Sequence, residues 1–519
     1  MKELFFGGRI ITNNGDANKE AVLVENGKIA AVGDKAALDS ADAKKTDLRG
    51  GTLMPSFIDA HSHLSQMASE TLQVKLTGAG SPKKAADRIA GFIEKNGIGN
   101  GDWVIANSYE GNDMRGDAAE LSKLLAEKAP ENPVVVQHGS GHFGVFSRSA
   151  LSELGVSEAT NAPQGGDFGR KDGRLTGYME ERAYMEYIKK VPLPGMDALA
   201  DAFSRAQHKY ASYGITTVQE GLMVREMLPM YEELLRRDTF FLHVVGYPDA
   251  QTIDAAITAI GIKDNNNFRI GGMKIFLDGS PQGRTAWLRE PYEGGDGFCG
   301  YGTMKDEDVM AAVEKSAKLG IQILAHCNGD AAAAQYIRCV DECEKKYPVI
   351  KELRPVMIHA QLLGRDQLDD VKRLGIIPSF FVAHVYHFGD VHIKNFGMER
   401  AEHISPAGSA AKKGILFTFH QDSPVIMPDM LETIWCAVNR RTKGGVVLGR
   451  DEAISVEDAI RAVTVNAAAQ YGEKKGVIAP GQSADLVLLD RDVIGAEPES
   501  IRDIGVVRTI KGGKTVFEA

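Results

Sequence analysis

Apolar positions recur along the chain with two different spacings, and the change of spacing divides it into three stretches. Residues 1–52 and 477–519 carry short runs broken by Gly and Asn: LFFGGRIIT, AVLVENGKIAAVG, SADLVLLD and VVRTIKGGKTVF. Runs of this kind read as strands. The Asn26-Gly27 and Gly512-Gly513 pairs between them supply the backbone freedom of tight hairpin turns. Both ends therefore predict strands, and one small β-sandwich domain built from the two termini is expected. Between the ends, eight apolar runs alternate with amphipathic stretches such as Asp306–Leu319 and Asp366–Leu374. The runs are Leu53–Ala60, Thr216–Gln219, Phe240–Gly246, Gly272–Leu277, Ile321–Ala325, Arg354–Ile358, Gly375–Phe381 and Gly414–Phe419. Eight β/α units predict an α/β fold of the (β/α)8 TIM-barrel type over residues 53–476. The gap between the first two runs is too long for a plain loop. Residues 66–196, with the helical stretch Lys83–Lys95 and the strands WVIANS and PVVVQHG, are expected to form an inserted α/β subdomain.

Composition narrows the function classes. The chain has 519 residues, 43% hydrophobic and 25% charged, with a net charge of −10. That balance fits a soluble enzyme with a small-molecule substrate and disfavours nucleic acid or an anionic membrane as partner. No apolar stretch reaches the ~18 residues of a membrane span. The five cysteines, an odd and sparse set, argue against a disulfide framework and for a reducing, cytoplasmic compartment. Cys339 and Cys343 lie four apart on an expected helix, and without a second pair they read as plain thiols rather than a structural zinc site. Neither a phosphate-binding G-x-x-x-x-G-K-[ST] loop nor a G-x-S-x-G nucleophile elbow is present.

The candidate chemistry sits at the ends of the predicted barrel strands. His61 and His63 follow the first run, and residues two apart on an extended segment face the same side. A His-x-His pair alone is a weak signal, better served by two structural histidines. The other strand ends supply His326, His359 and Asp422, with Lys274 inside the fourth run. Neutral imidazoles with a carboxylate suit zinc or a similar divalent ion, and the C-terminal strand ends are where such barrels keep their chemistry.

The segments PSFIDAHSH, MKIFLDGS, ILAHCNGD, VMIHAQ and FHQDSPV, in this order, resemble the amidohydrolase superfamily. GSGHFGVFSRSAL, DGRLTGYMEE and DGSPQGRTAW are similar to its YtcJ-like branch, amidohydrolase family 3. The resemblance implies that His61, His63 and Asp422 hold one metal, and that His326 and His359 hold a second. Lys274 would then be carboxylated and bridge the two, while Asp422 doubles as the catalytic base. Lys274 read without the resemblance is an ordinary lysine paired with a carboxylate such as Asp278. Further candidates for substrate binding are His142, Arg284 and His384. His142 could equally pack within the insertion, and Arg284 could equally pin its own loop. Phe381-Val382-Ala383, before His384, departs from the branch's pattern and suggests an apolar wall. His387 and His392 are expected in a solvated polar loop, and His420 beside Asp422 as pocket lining. The implied activity is hydrolysis of a non-peptide C–N bond, in an amide or N-formyl group. A ring-amine deaminase and an idle binding protein are the alternatives. Gly329, where deaminases of the superfamily carry a Glu, disfavours the former. Barrels of this kind often pair, and the sequence leaves the choice between monomer and homodimer open.

Overall fold

The computed structural model describes residues 2–519 except 16–18, 110–112, 139, 141 and 193. They form two compact units, Met1–Ser65 with Ala206–Ala519, and Gln66–Arg205. In the first unit, parallel strands follow one another around a barrel. They are Phe57–Ile58, Ile215–Met223, His243–Pro248, the consecutive pair Phe268–Ile270 and Gly272–Phe276, then Gln322–Cys327, Val356–His359, Ile377–Phe380 and Thr418–Phe419. Backbone bonds from Asp422 N to His61 O (3.1 Å) and from His63 N to Ser423 O (2.8 Å) join the ends of the last and first strands. The fold is thus α/β and of the TIM-barrel type.

Helices between the strands begin and end where their residues dictate. Asp306–Leu319 opens with Asp306, Glu307 and Asp308 in its first turn, where carboxylates offset the positive end of the helix dipole. It stops at Gly320, whose φ of 66° lies in the left-handed region open to glycine.

The run Leu53–Ala60 divides in two. Thr52–Pro55 pairs antiparallel with Leu486–Leu489, whereas Phe57–Ile58 pairs with the second barrel strand. Pro55 and Ser56 stand at the changeover, so one apolar run serves two sheets.

The terminal segments form two further sheets. One orders Lys28–Gly33, Ala21–Glu25, Lys2–Phe6 and Lys44–Asp47, and the other orders Arg9–Ile10, Thr52–Pro55, Leu486–Leu489, Val506–Lys511 and Lys514–Glu518. Phe5, Val22, Ile29, Leu53, Leu486 and Ile510 from both ends of the chain share one apolar cluster. Asn26 (φ 51°) and Gly27 (φ 81°) make the turn between Ala21–Glu25 and Lys28–Gly33.

The second unit is a six-stranded mixed sheet with Val104–Tyr109 and Val134–His138 near one edge. Helices Pro82–Asn96 and Met114–Lys128 bury Ala85, Ile89, Leu121 and Leu125 in a cluster with Val104, Val134 and Val136. Ser81 caps the first of these helices by accepting from Lys84 N, and Pro82 takes a position where its missing N–H costs nothing.

Candidate metal centre

The stitch between the first and last barrel strands brings His61, His63 and Asp422 together. Asp422 takes φ 52° and His359 takes φ 71°, a left-handed backbone that costs a non-glycine residue on the order of 1–3 kcal/mol. Both turn their side chains at a strand end. Asp422 Oδ1 lies 3.5 Å from His61 Nε2 and 3.2 Å from His63 Nε2. Among the described residues, these three form a group whose donor atoms lie within 4.8 Å of one another. Asp422 Oδ1 is buried and accepts no hydrogen bond. Two nitrogens and an oxygen thus face a common point without satisfying each other. This fits a divalent cation of the zinc class, whose ligands are imidazole nitrogen and carboxylate oxygen.

A second pair stands beside the first. His326 Nδ1 and His359 Nε2 are 3.1 Å apart. His359 Nδ1 lies 3.1 Å from His420 Nε2, and His420 Nδ1 lies 2.9 Å from Ser379 Oγ. Lys274, buried in the fourth strand, places Nζ 3.4 Å from His61 Nε2.

The electrostatics suit ligands. Burial, reinforced by Lys274, holds the His61 imidazole well below its ordinary range and brings His326 down to about 4. Burial with neighbouring imidazoles does the same to His359, and His420 is pushed down to about 3. All four are therefore neutral near pH 7, the state in which an imidazole can ligate. Burial alone would raise the Asp422 carboxyl, but His63 beside it and the nearby Lys274 outweigh burial and hold it below its ordinary value. Burial also pushes the Lys274 ammonium down to about 7.

Other residues fall differently. Asp278 accepts backbone N–H from Asn328 (2.9 Å), Gly329 (2.7 Å) and Trp287 (3.0 Å), tying the loops beyond the fourth and fifth strands together. Arg284 donates to Asn395 Oδ1 (3.1 Å) and to Glu293 O (2.9 Å), bonds that hold its own loop. His384 is buried at the start of helix His384–Ala401, with its ring 4.3 Å from Phe381 and Nδ1 3.1 Å from His392 Nε2. The expectation that His387 and His392 lie in a solvated loop is corrected. Both sit on that helix, where His392 is fully buried and His387 Nε2 meets Glu432 Oε1 at 2.6 Å. Along the buried face of that helix the rings stack, His392 lying 5.3 Å from His384 and 5.4 Å from Phe396. His142 is exposed in the second unit, 3.3 Å from Glu181. Cys339 and Cys343 are buried and free, with their thiols toward the Asp306 and Met310 carbonyls.

Sequence patterns gave no sign of two further residues. Gln219 Oε1 lies 2.5 Å from His61 Nδ1, and Glu220 Oε1 lies 4.0 Å from His63 Nδ1. Both lie within the second barrel strand, Ile215–Met223, where no motif or spacing marks them out.

A family model described as the amidohydrolase family matches residues 45–517. The chain belongs to the amidohydrolase family. This amidohydrolase is 27% identical over 543 aligned positions to YtcJ of Bacillus subtilis (strain 168), covering 100% of both chains. It is 26% identical to the N-substituted formamide deformylase of Arthrobacter pascens, over 96% of this chain and 95% of that one. Its fold matches the crystal structure of an uncharacterized metal-dependent hydrolase from Pyrococcus horikoshii with a TM-score of 0.75. There the identity is 23%, and the match covers 96% of this chain and 99% of that one. As an amidohydrolase, the protein is a hydrolase. Among the described residues, no helix is long and apolar enough to cross a membrane.

Proposed function

We propose that this amidohydrolase uses one or two divalent ions, zinc by ligand chemistry, to hydrolyse a non-peptide C–N bond in a small amide or N-formyl compound. The observation that carries the reading is the convergence of His61, His63 and the unbonded Asp422 Oδ1. His61, His63 and Asp422 would hold one ion, and His326 and His359 the other. Lys274, carboxylated on Nζ, would bridge them, since a neutral buried amine can take up carbon dioxide where an ammonium cannot. A bound ion of this kind lowers the pKa of water and polarises a carbonyl. Asp422 then accepts the proton of the attacking water and returns it to the departing nitrogen, acting first as general base and then as general acid.

The surroundings favour an apolar substituent on that nitrogen. Phe276 is partly exposed, with its ring 5.3 Å from His326. The relative named for N-substituted formamides supports the same substrate class. The two terminal sheets are read as one β-sandwich domain, residues 1–52 with 477–519, and residues 66–196 as a domain inserted in the barrel.

The test is metal analysis of the purified protein together with hydrolysis of N-alkyl and N-aryl formamides and acetamides. The native protein should carry at least one divalent ion per chain and lose activity to a chelator. Asp422→Asn should lower kcat by about 10²–10⁴, the usual contribution of a positioned acid-base group. Less than one ion per chain, or turnover indifferent to chelator, would overturn the proposal.

A further inference from the structure

We infer that Gln219 is a positioning residue that fixes which nitrogen of His61 carries the proton, and so which one is free to ligate. The inference rests on reading His61 as a metal ligand, and the geometry supplies the rest. Gln219 Oε1 and His61 Nδ1 are 2.5 Å apart, a contact that an amide could make with either its oxygen or its nitrogen. The other end of the amide removes the choice. It lies 3.0 Å from the Ala60 carbonyl oxygen and 3.1 Å from the Tyr471 hydroxyl. A carbonyl oxygen only accepts, so the group facing Ala60 must be the NH₂. Tyr471 gives its own proton to the Asp59 carbonyl at 2.7 Å, which leaves its oxygen free to accept from Gln219. Both N–H bonds of the amide are therefore used, and the oxygen faces His61. Nδ1 must be the protonated nitrogen, and the lone pair falls on Nε2. That is the atom 3.5 Å from Asp422 Oδ1 and 3.4 Å from Lys274 Nζ.

Every member of this chain is fully or almost fully buried, so water does not compete for the bonds. The network spans the first strand end, the second strand and the turn after helix Val465–Gln470, with Gln470 Nε2 adding a second bond to Ala60 O at 2.9 Å. On the other side of the site, His326 Nε2 lies 3.3 Å from the Gly279 carbonyl oxygen and 3.1 Å from Asn328 Nδ2, two partners that call for opposite tautomers. The relay from His359 through His420 ends on Ser379 Oγ, a hydroxyl that can donate or accept and so leaves that tautomer open.

The test reads the tautomer directly. Histidine-selective ¹⁵N NMR on the metal-free protein, with the His61 signals assigned from their loss in His61→Ala, should show the Nδ1–H form. The Nε2–H form in the unsubstituted protein would overturn the inference whatever any variant does. Gln219→Met keeps the length and loses the acceptor. It should mix the two tautomers and weaken zinc binding about 10–100-fold, the usual cost of losing such a partner. Gln219→Glu, protonated on the oxygen that faces the Ala60 carbonyl, keeps both a donor there and an acceptor toward His61, and should restore both the tautomer and the affinity, which a merely structural role would not achieve. Zinc affinity unchanged in Gln219→Met but lost in His61→Ala would remove Gln219 from the site and leave the metal reading intact. Zinc affinity unchanged in His61→Ala would remove the metal reading itself.

Discussion

At the C-terminal ends of the barrel strands, His61 and His63 direct two nitrogens at one oxygen of Asp422. At the N-terminal start of the third strand, His243 also sits buried between carboxylates, but the arrangement is reversed. Asp264 Oδ2 approaches its Nε2 at 3.2 Å, and Glu473 Oε1 approaches its Nδ1 at 3.5 Å. Two acids meet opposite edges of a single ring, and no common point lies between them. Glu473 is held besides by Arg269 (2.9 Å) and Lys475 (3.0 Å). Around Asp422, among the described residues, no Lys or Arg nitrogen comes within 4.0 Å, and burial keeps the His61 imidazole uncharged. Histidine and carboxylate occur in both places. Convergence on a shared point, with no permanent cation supplied by the chain, marks the place that can take an ion. The other cluster is a structural ion network.

Removing Lys274 should have the largest effect and should fall on one cluster alone. Lys274→Ala is expected to lower the bound metal by up to one ion per chain. Its turnover should fall by at least the 10–100-fold that even an outer-shell partner of a metal commands. Elemental analysis with kinetics reads both. Full metal content in the variant would make Lys274 a bystander and leave the ligand set to the four histidines and Asp422.

Glu473→Gln should do the opposite, leaving metal content alone and costing stability. Breaking a buried ion pair by removing one partner costs about 3–5 kcal/mol, because the remaining charges stay buried. The pH dependence has a definite sign. Burial would raise the Glu473 carboxyl, but His243, Lys475 and Arg269 outweigh it and hold the carboxyl below its ordinary value. A depressed acid contributes stability above its unfolded pKa and loses it as pH falls through its folded one. Glu473→Gln should therefore lower Tm at neutral pH and flatten the fall of Tm on the acid side. A variant that lost its metal as well would erase the distinction between the clusters.

The contrast explains what the sequence made legible. Strand ends can be counted along a chain, so the barrel and the order His61, Lys274, His326, His359, Asp422 were readable from apolar runs and the residues that close them. Direction at the end of a strand is less readable. His243 opens its strand and His326 nearly ends one, so similar residues belong to opposite ends of the barrel. Leu53–Ala60 read as one strand, because a run of apolar residues does not reveal that Pro55 and Ser56 hand it from one sheet to another. His387 and His392 looked solvated because imidazole counts as polar in a pattern, whereas stacked neutral rings behave as apolar surface inside a helix face. Gln219 was invisible for a different reason. Its role depends on where Tyr471, 252 residues away, sends a hydroxyl proton.

Asp264→Asn should give the smallest effect and the sharpest comparison within the His243 cluster. Asp264 stands closer to His243 than Glu473 does, yet its side chain is 56% exposed against 15% for Glu473. His243 holds the Asp264 carboxyl below its ordinary value, so its contribution too would fade in acid. Water and salt screen an exposed pair, and such pairs contribute about 0–1 kcal/mol. Thermal unfolding should therefore show a shift well below that of Glu473→Gln, shrinking further as ionic strength rises. A loss equal to that of Glu473→Gln would mean that distance to the imidazole, rather than burial and the company of Arg269 and Lys475, sets the strength of this network. Convergence alone would then have to separate it from the metal site.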